Sequence, residues 1–223
     1  MRNATIVGGA YLAGHEQVYR TLLPQTSVLI AADSGAALCH RLGRTPDYLV
    51  GDLDSIPEDT LRWIHESAVR IRKAPVHKDM TDLDLALDCA REARCQAVTI
   101  IGAWSGRLDH TIAAIATAAS AKDLVVDLAD PGLAGWMLRA DLRPSIRLGP
   151  AGSLCSLFAP EHQAVVSTAG MRYPLDEGIV PPRSSLGVSN VIDSDEARIT
   201  VHEGAVLVLS NPGRDGMCAV RLG

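Results

Sequence analysis

The chain lacks three things that would each open a class of function: a long apolar run, a block of basic residues, and a pair of cysteines at C-x-x-C spacing. Without about 20 consecutive apolar residues no membrane-spanning helix is expected. With 21 Lys and Arg against 26 Asp and Glu, the formal charge is -5 and no basic patch marks a nucleic-acid partner. The cysteines, Cys39, Cys89, Cys95, Cys155 and Cys218, are odd in number and scattered, which argues against a disulfide framework and for a reducing, cytoplasmic setting. The opening MRNATIVGGAYLAG is apolar, but Gly8 and Gly9 break it and no convincing cleavage region follows. No internal repeat or low-complexity tract is present.

Several chemical motifs are missing as well. There is no G-x-x-x-x-G-K-[ST], so a P-loop is excluded, and Gly8, Gly9 and Gly14 do not complete G-x-G-x-x-G. No G-x-S-x-G elbow, H-E-x-x-H or paired Cys/His ligand set supports a serine hydrolase or a zinc site. Gly8 and Gly9 fit either a tight strand-to-helix turn or a loop whose amides approach an anion.

What is present follows two rhythms. Up to about residue 130, short apolar runs alternate with helical patterns: Ala4–Val7, Val28–Ala32, Tyr48–Val50, Val69–Arg72, Val98–Ile101 and Leu124–Leu128 read as strands. Between them, Thr81–Arg94 and Thr111–Ala121 read as helices, the first opened by Thr81 and Asp84 as a capping box. This alternation predicts an α/β fold, a parallel sheet in three layers with ligands beyond the carboxyl ends of its strands. After about residue 140 the helical spacing stops. Ser153–Phe158, Ala164–Thr168, Ala197–His202 and Ala205–Leu209 read as antiparallel strands of a small β-sandwich or barrel, with a hairpin expected at Glu203–Gly204 and a loop at Val180–Arg183. The expected domains are residues 1–140 and 141–223.

Carboxylates gather at the predicted strand ends: Asp33 in AADSGA, Asp52 and Asp54 in GDLDS, Asp79 and Asp82 in HKDMTDLD, followed by Arg107 and Asp109 in GAWSGRLDH. Asp52 and Asp54, two apart in extended chain, would point the same way and share one hard cation. Unpaired, two carboxylates about 5 Å apart at an effective dielectric of about 20 repel by roughly 3 kcal/mol, which a divalent ion offsets. The alternative is a solvated Gly-Asp turn. Asp82 equally fits a first-turn acid complementing a helix dipole, and Asp84 a capping partner. His110, beside Asp109, fits either a catalytic or a structural role.

The ordered set AADSGA, GDLDSI, KDMTDLDLAL, GAWSGRLDH and SSLGVSN resembles the thiamine pyrophosphokinase family, and the resemblance spans nearly the whole chain. It implies an N-terminal α/β domain that binds ATP and Mg2+, a C-terminal β-sandwich that completes a thiamine site, and a homodimer that moves pyrophosphate from ATP to thiamine, releasing AMP. By the same resemblance, Asp52, Asp54 and Asp79 are metal ligands, and Asp54, Asp79 and Arg107 are catalytic. Asp33, Asp82, Arg107, Asp109, Ser189 and Asn190 then bind nucleotide or substrate, with Ser189–Asn190 on thiamine. The chain departs from the family pattern at Ser34, Leu53, Ser105, Leu108 and Val191. Two other readings are a pyrophosphokinase for a hydroxymethyl-pterin and a nucleotide-binding regulatory module without turnover.

Overall fold

Runs of small and β-branched residues place the first unit's strands, and the sheet they form sets where its loops converge. The computed structural model describes residues 2–23, 28–73, 80–104 and 107–211, and the chain divides into two compact units, Met1–Pro131 and Gly132–Gly223. In the first, β1 (Asn3–Val7), β2 (Val28–Ala32), β3 (Tyr48–Gly51), β4 (Arg70–Lys73), β5 (Ala97–Ile101) and β6 (Val125–Asp130) lie in the order β6-β5-β1-β2-β3-β4. Every pairing among them is parallel. The sequence runs outward from β1 to β4 and then returns to the other side of β1 for β5. The switch point is therefore the crevice between β1 and β5, the place where doubly wound sheets bind ligands.

Among the described residues five helices cover this sheet: α1 (Glu16–Leu22), α2 (Gly35–Leu42), α3 (Glu58–His65), α4 (Asp82–Glu92) and α5 (Leu108–Ser120). Val7, Leu29, Ala31, Leu49 and Ile101 share one buried cluster with Tyr19 and Leu22 of α1, Leu38 and Leu42 of α2 and Ile64 of α3. Side chains alternate along a strand, so Ile6, Ile30, Val50 and Ile100, all buried, face the other way. There α4 packs on β1, β2 and β3. The expected capping box is formed: the Asp84 backbone N–H donates to Thr81 Oγ1 (3.3 Å) and the Thr81 backbone N–H to Asp84 Oδ2 (2.9 Å). The edge strand β4 differs from the buried strand expected there; its RIRK sequence leaves Arg70, Ile71 and Lys73 exposed, charges that discourage further strand pairing.

The second unit is antiparallel. β7 (Leu133–Arg139), β9 (Leu154–Phe158), β12 (Asn190–Val191) and β14 (Ala205–Asn211) form one set in the order β12-β9-β14-β7. β8 (Ser145–Leu148), β10 (Ala164–Ala169), β11 (Gly178–Val180) and β13 (Ala197–Glu203) form the other, in the order β11-β10-β13-β8. Trp136, Leu138, Leu157, Val206 and Val208 of the first meet Val166, Val180, Ile199 and Val201 of the second in one apolar core, as a sandwich requires.

Two expectations change here. The strands flanking Gly204 do not form a hairpin: β13 pairs with β10 and β8, whereas β14 pairs with β7 and β9. Only Gly204 separates them, too short for a two-residue hairpin loop, and at φ +75 it turns the chain from one sheet into the other. The division between units also falls at Pro131/Gly132, ahead of residue 140, with residues 134–139 of β7 paired along β14 in the second unit. Among the described residues no helix is long and apolar enough to cross a membrane.

Candidate active site

The carboxyl ends of β1, β2, β3 and β5 open into a pocket of about 600 Å³. Each strand contributes a loop. Gly8 and Gly9 follow β1, Asp33 follows β2, Asp52 and Asp54 follow β3, and Gly102 follows β5; Arg107 and His110 line the pocket from the start of α5. Gly8 and Gly9 do not make a tight strand-to-helix turn, since α1 begins only at Glu16. Gly8 is needed because its backbone lies against the β5 loop: its N–H donates to Ile101 O at 2.8 Å, and a Cβ there would sit 2.7 Å from Gly102 O.

Asp33, Asp52 and Asp54 each bring one carboxylate oxygen within 4.8 Å of the others. The route differs from the extended-chain argument. Leu53 adopts φ +73, so the segment turns between Asp52 and Asp54, and the Asp54 N–H donates to Asp52 Oδ1 at 3.3 Å. Asp33 too stands in the left-handed region, at φ +44. Non-glycine residues held there carry strain that surrounding structure must maintain, as happens at ligand sites. Asp33 is 7 % exposed, and its Oδ1 has no hydrogen-bond partner. Burial pushes its carboxyl above the ordinary value and the charges of Asp82 and Asp52 push the same way, against hydrogen bonds from the Ser34 backbone and the Ser55 side chain.

Asp82 belongs to this group although it opens α4. Its Oδ1 lies 3.2 Å from the position a Cβ on Gly51 would take, and that same Cβ would lie 3.0 Å from Asp33 Cβ, so Gly51 makes room for both acids. Asp84 instead performs the structural role read from the sequence. Besides the capping box it accepts the Thr117 hydroxyl on Oδ1 at 2.7 Å, fastening α4 to α5. Asp79, expected as a ligand and catalytic residue, and Ser105 lie outside the described residues.

Arg107 sits at the N-terminal boundary of α5 with its side chain largely exposed. Its Nε and Nη2 donate to Asp109 Oδ1 (3.1 Å) and Oδ2 (2.5 Å), a two-point pair that holds the Asp109 carboxyl down to about 2. Asp109 thus orients the guanidinium. A planar fork already aligned by a carboxylate can exchange that partner for phosphate oxygens.

In the second unit, Ser189 and Asn190 behave differently from each other. Asn190 is buried at 9 % exposure, and both ends of its side-chain amide are engaged: Oδ1 accepts the N–H of Tyr173 (3.0 Å) and Val191 (2.9 Å), while Nδ2 donates to Tyr173 O (2.7 Å). Ser189 is exposed, at φ +59, with its N–H donating to Ser156 Oγ at 3.1 Å.

One residue escaped the sequence reading. Asp130, at the end of β6 and 2 % exposed, accepts Tyr19 Oη at 2.6 Å and the backbone N–H groups of Gly102, Ala103 and Trp104 at 2.8, 2.9 and 3.0 Å. The signal was an acid at the end of an apolar run, where a parallel strand meets its loop.

Comparison with known proteins decides which family this site belongs to. Residues 19–127 match the family described as thiamin pyrophosphokinase, catalytic domain, and residues 143–206 match thiamin pyrophosphokinase, vitamin B1 binding domain. The chain belongs to the thiamin pyrophosphokinase family. A curated relative, thiamine pyrophosphokinase of Bacillus subtilis (strain 168), is 40% identical over 81 residues, which span 36% of this chain and 38% of that protein. Thiamine pyrophosphokinase 1 of Oryza sativa subsp. japonica is 22% identical over 181 residues, 76% of this chain and 68% of that one. In fold, the crystal structure of the Bacillus subtilis thiamine pyrophosphokinase superposes with a TM-score of 0.81 at 23% identity, over 95% of this chain and 100% of that one. Thiamin pyrophosphokinase from Candida albicans gives 0.77 at 14% identity, over 94% and 89%. The α/β unit and the β-sandwich are thus both features of the family fold.

Proposed function

We propose that this chain is a thiamine diphosphokinase, moving the pyrophosphoryl group of ATP to the hydroxyl of thiamine. The observation that carries the reading is the convergence of Asp33, Asp52 and Asp54 in a pocket also lined by Arg107, in a chain of this family. The thiamine oxygen attacks the β-phosphorus, the bond from that phosphorus to the α–β bridging oxygen breaks, and AMP departs with the electron pair while the hydroxyl proton is lost. Such a transfer needs alignment and charge neutralisation more than covalent help from the protein.

The donor set fits Mg2+: hard carboxylate oxygens close together, one of them buried and without a hydrogen-bond partner. Asp52 and Asp54 would hold the ion with Asp33 beside them, and Asp79 is carried over from the family pattern as a further ligand. Bound there, Mg2+ neutralises triphosphate charge and orients it. Arg107 exchanges Asp109 for phosphate oxygens and grips two at once, Asp82 adds to the acidic wall, and the Gly8–Gly9 backbone lies open to the nucleotide. Thiamine is assigned to the second unit, with Ser189 the exposed donor of the Ser189–Asn190 pair.

We further expect a cytoplasmic homodimer in which the ATP machinery of one chain works with Ser189–Asn190 of its partner. Mixing an Asp54→Asn chain with a Ser189→Ala, Asn190→Ala chain, assayed at thiamine low enough that each is weak alone, should raise activity above their sum once subunits exchange; exchange without a gain places both groups on the same chain. The function itself is tested by incubating the protein with ATP and Mg2+ and either thiamine or a hydroxymethyl-pterin. AMP and thiamine diphosphate are expected with the first alcohol only. Turnover of the pterin, or of neither, contradicts the reading.

A further inference from the structure

We propose that Asp130 and Tyr19 form a positioning pair for the pyrophosphoryl-transfer site, an inference that rests on the function proposed above. The pair fixes the Gly102–Trp104 segment that follows β5, three residues ahead of Arg107 in the chain. A buried carboxylate is a poor choice for stability alone, since desolvating a charge costs more than packing an apolar side chain of similar volume. Among the described residues the donors that Asp130 accepts are the Tyr19 hydroxyl and three successive backbone N–H groups, Gly102, Ala103 and Trp104. Those amides belong to no helix or strand ladder, and without Asp130 they would be unpaired. The carboxylate therefore selects one conformation of this loop.

What the loop does makes the selection matter. Gly102 and Ala103 line the pocket, and the chain continues from Trp104 through residues 105–106 to Arg107, which lines it too. Tyr19 extends the same reference point across the switch-point crevice. Fully buried, it accepts the Leu12 N–H at 3.0 Å while donating to Asp130, and the Ala10 N–H donates to Gly102 O at 2.9 Å. The Gly8–Gly9 loop and the Gly102–Ala103 segment, both lining the pocket, are thus indexed to one buried carboxylate. Asp130 touches no substrate in this arrangement; it acts through the pocket backbone and Arg107.

The test uses Tyr19→Phe, which keeps the ring and removes the hydroxyl, and Asp130→Asn, whose single oxygen cannot accept all four donors. Compared at equal folded protein well below the unfolding transition, turnover should fall about tenfold for Tyr19→Phe and on the order of 10- to 100-fold for Asp130→Asn, with KM for thiamine unchanged. Amide exchange at 102–104 should quicken in both without global unfolding. In an Arg107→Ala background either change should lower turnover by less than about twofold more, because the group being positioned is already gone. A variant that only lowers the melting temperature, or one whose loss adds in full to that of Arg107→Ala, would overturn the proposal. Should Asp130→Asn fail to fold, Tyr19→Phe carries the test. If the unaltered protein releases no AMP, the functional reading is at fault, and unchanged amide exchange in the variants would separately reject the positioning role.

Discussion

The carboxylate pocket of the first unit and the Asn190 side chain of the second treat their polar groups in opposite ways. In the first, the pocket leaves Asp33 Oδ1 buried without a partner, crowds it with Asp52, Asp54 and Asp82, and bends Asp33 and Leu53 into left-handed backbone. In the second, the Asn190 amide makes three hydrogen bonds, two to the Tyr173 backbone and one to the Val191 N–H. The first arrangement is incomplete by itself and gains from a cation; the second is already satisfied. In the cluster one buried oxygen, Asp33 Oδ1, is left without a protein partner, whereas the Asn190 amide has both its oxygen and its nitrogen bonded, and this contrast separates the metal cluster from Asn190 better than residue type does.

The sharpest way to break the comparison is to remove charge from the incomplete cluster. Asp52→Asn and Asp54→Asn are each expected to lower turnover by roughly 10²–10³ while leaving circular dichroism and melting behaviour close to those of the unaltered protein. Near-normal turnover in either would remove that residue from the site.

Next comes the guanidinium. Arg107→Lys keeps the charge but loses the fork, and turnover should drop at least about tenfold. Arg91 serves as the control with a different outcome. It pairs with Asp88 and, through two contacts, with Asp123, so Arg91→Lys should cost up to about 1 kcal/mol of stability and leave turnover unchanged. Equal kinetic effects at the two arginines would contradict the assignment.

Asn190→Ala should act mainly on stability. It strands the N–H groups of Tyr173 and Val191 and the Tyr173 carbonyl, for a loss of about 1–3 kcal/mol in denaturant unfolding, whereas Ser189→Ala should leave stability nearly unchanged and raise KM for thiamine. The reverse pattern would make Asn190 the substrate contact.

The smallest effect is in pH. Burial holds the Asp33 carboxyl above its ordinary value, so in metal-free protein its stabilising contribution is present below the unfolded value and lost as pH rises through the folded one. Asp33→Asn should therefore stabilise the metal-free protein at neutral pH. Mg2+ binding should release a proton and weaken as pH falls into that range. Calorimetric titration at several pH values, with a buffer change to count protons, distinguishes this from an Asp33 that ionises like an exposed aspartate.

The first unit was readable because parallel strands buried on both faces leave unbroken apolar runs, and the acids that follow them had to fall at one end of the sheet. Asp33, Asp52, Asp54 and Asp82 line one pocket, although the left-handed Leu53 between Asp52 and Asp54 left no mark in the sequence. Asp130 was missed because its partners are backbone amides 26 to 28 residues away, which no local pattern encodes. The second unit was harder. LAGWMLR lacks an alternating pattern because β7 is buried at nearly every position, and one glycine between β13 and β14 looks the same whether the chain reverses into a hairpin or crosses to the facing sheet. Partner choice there is settled by the sandwich core, not by the turn.

The central claim is that the first unit's carboxylates and Arg107 move two phosphates as a unit, and phosphorus NMR of one reaction tests it most directly. With ATP, Mg2+ and thiamine, the account predicts AMP and thiamine diphosphate appearing in equal amounts, with the Asp54→Asn protein producing neither at a comparable rate. ADP with thiamine monophosphate, or an undiminished rate in Asp54→Asn, would contradict it.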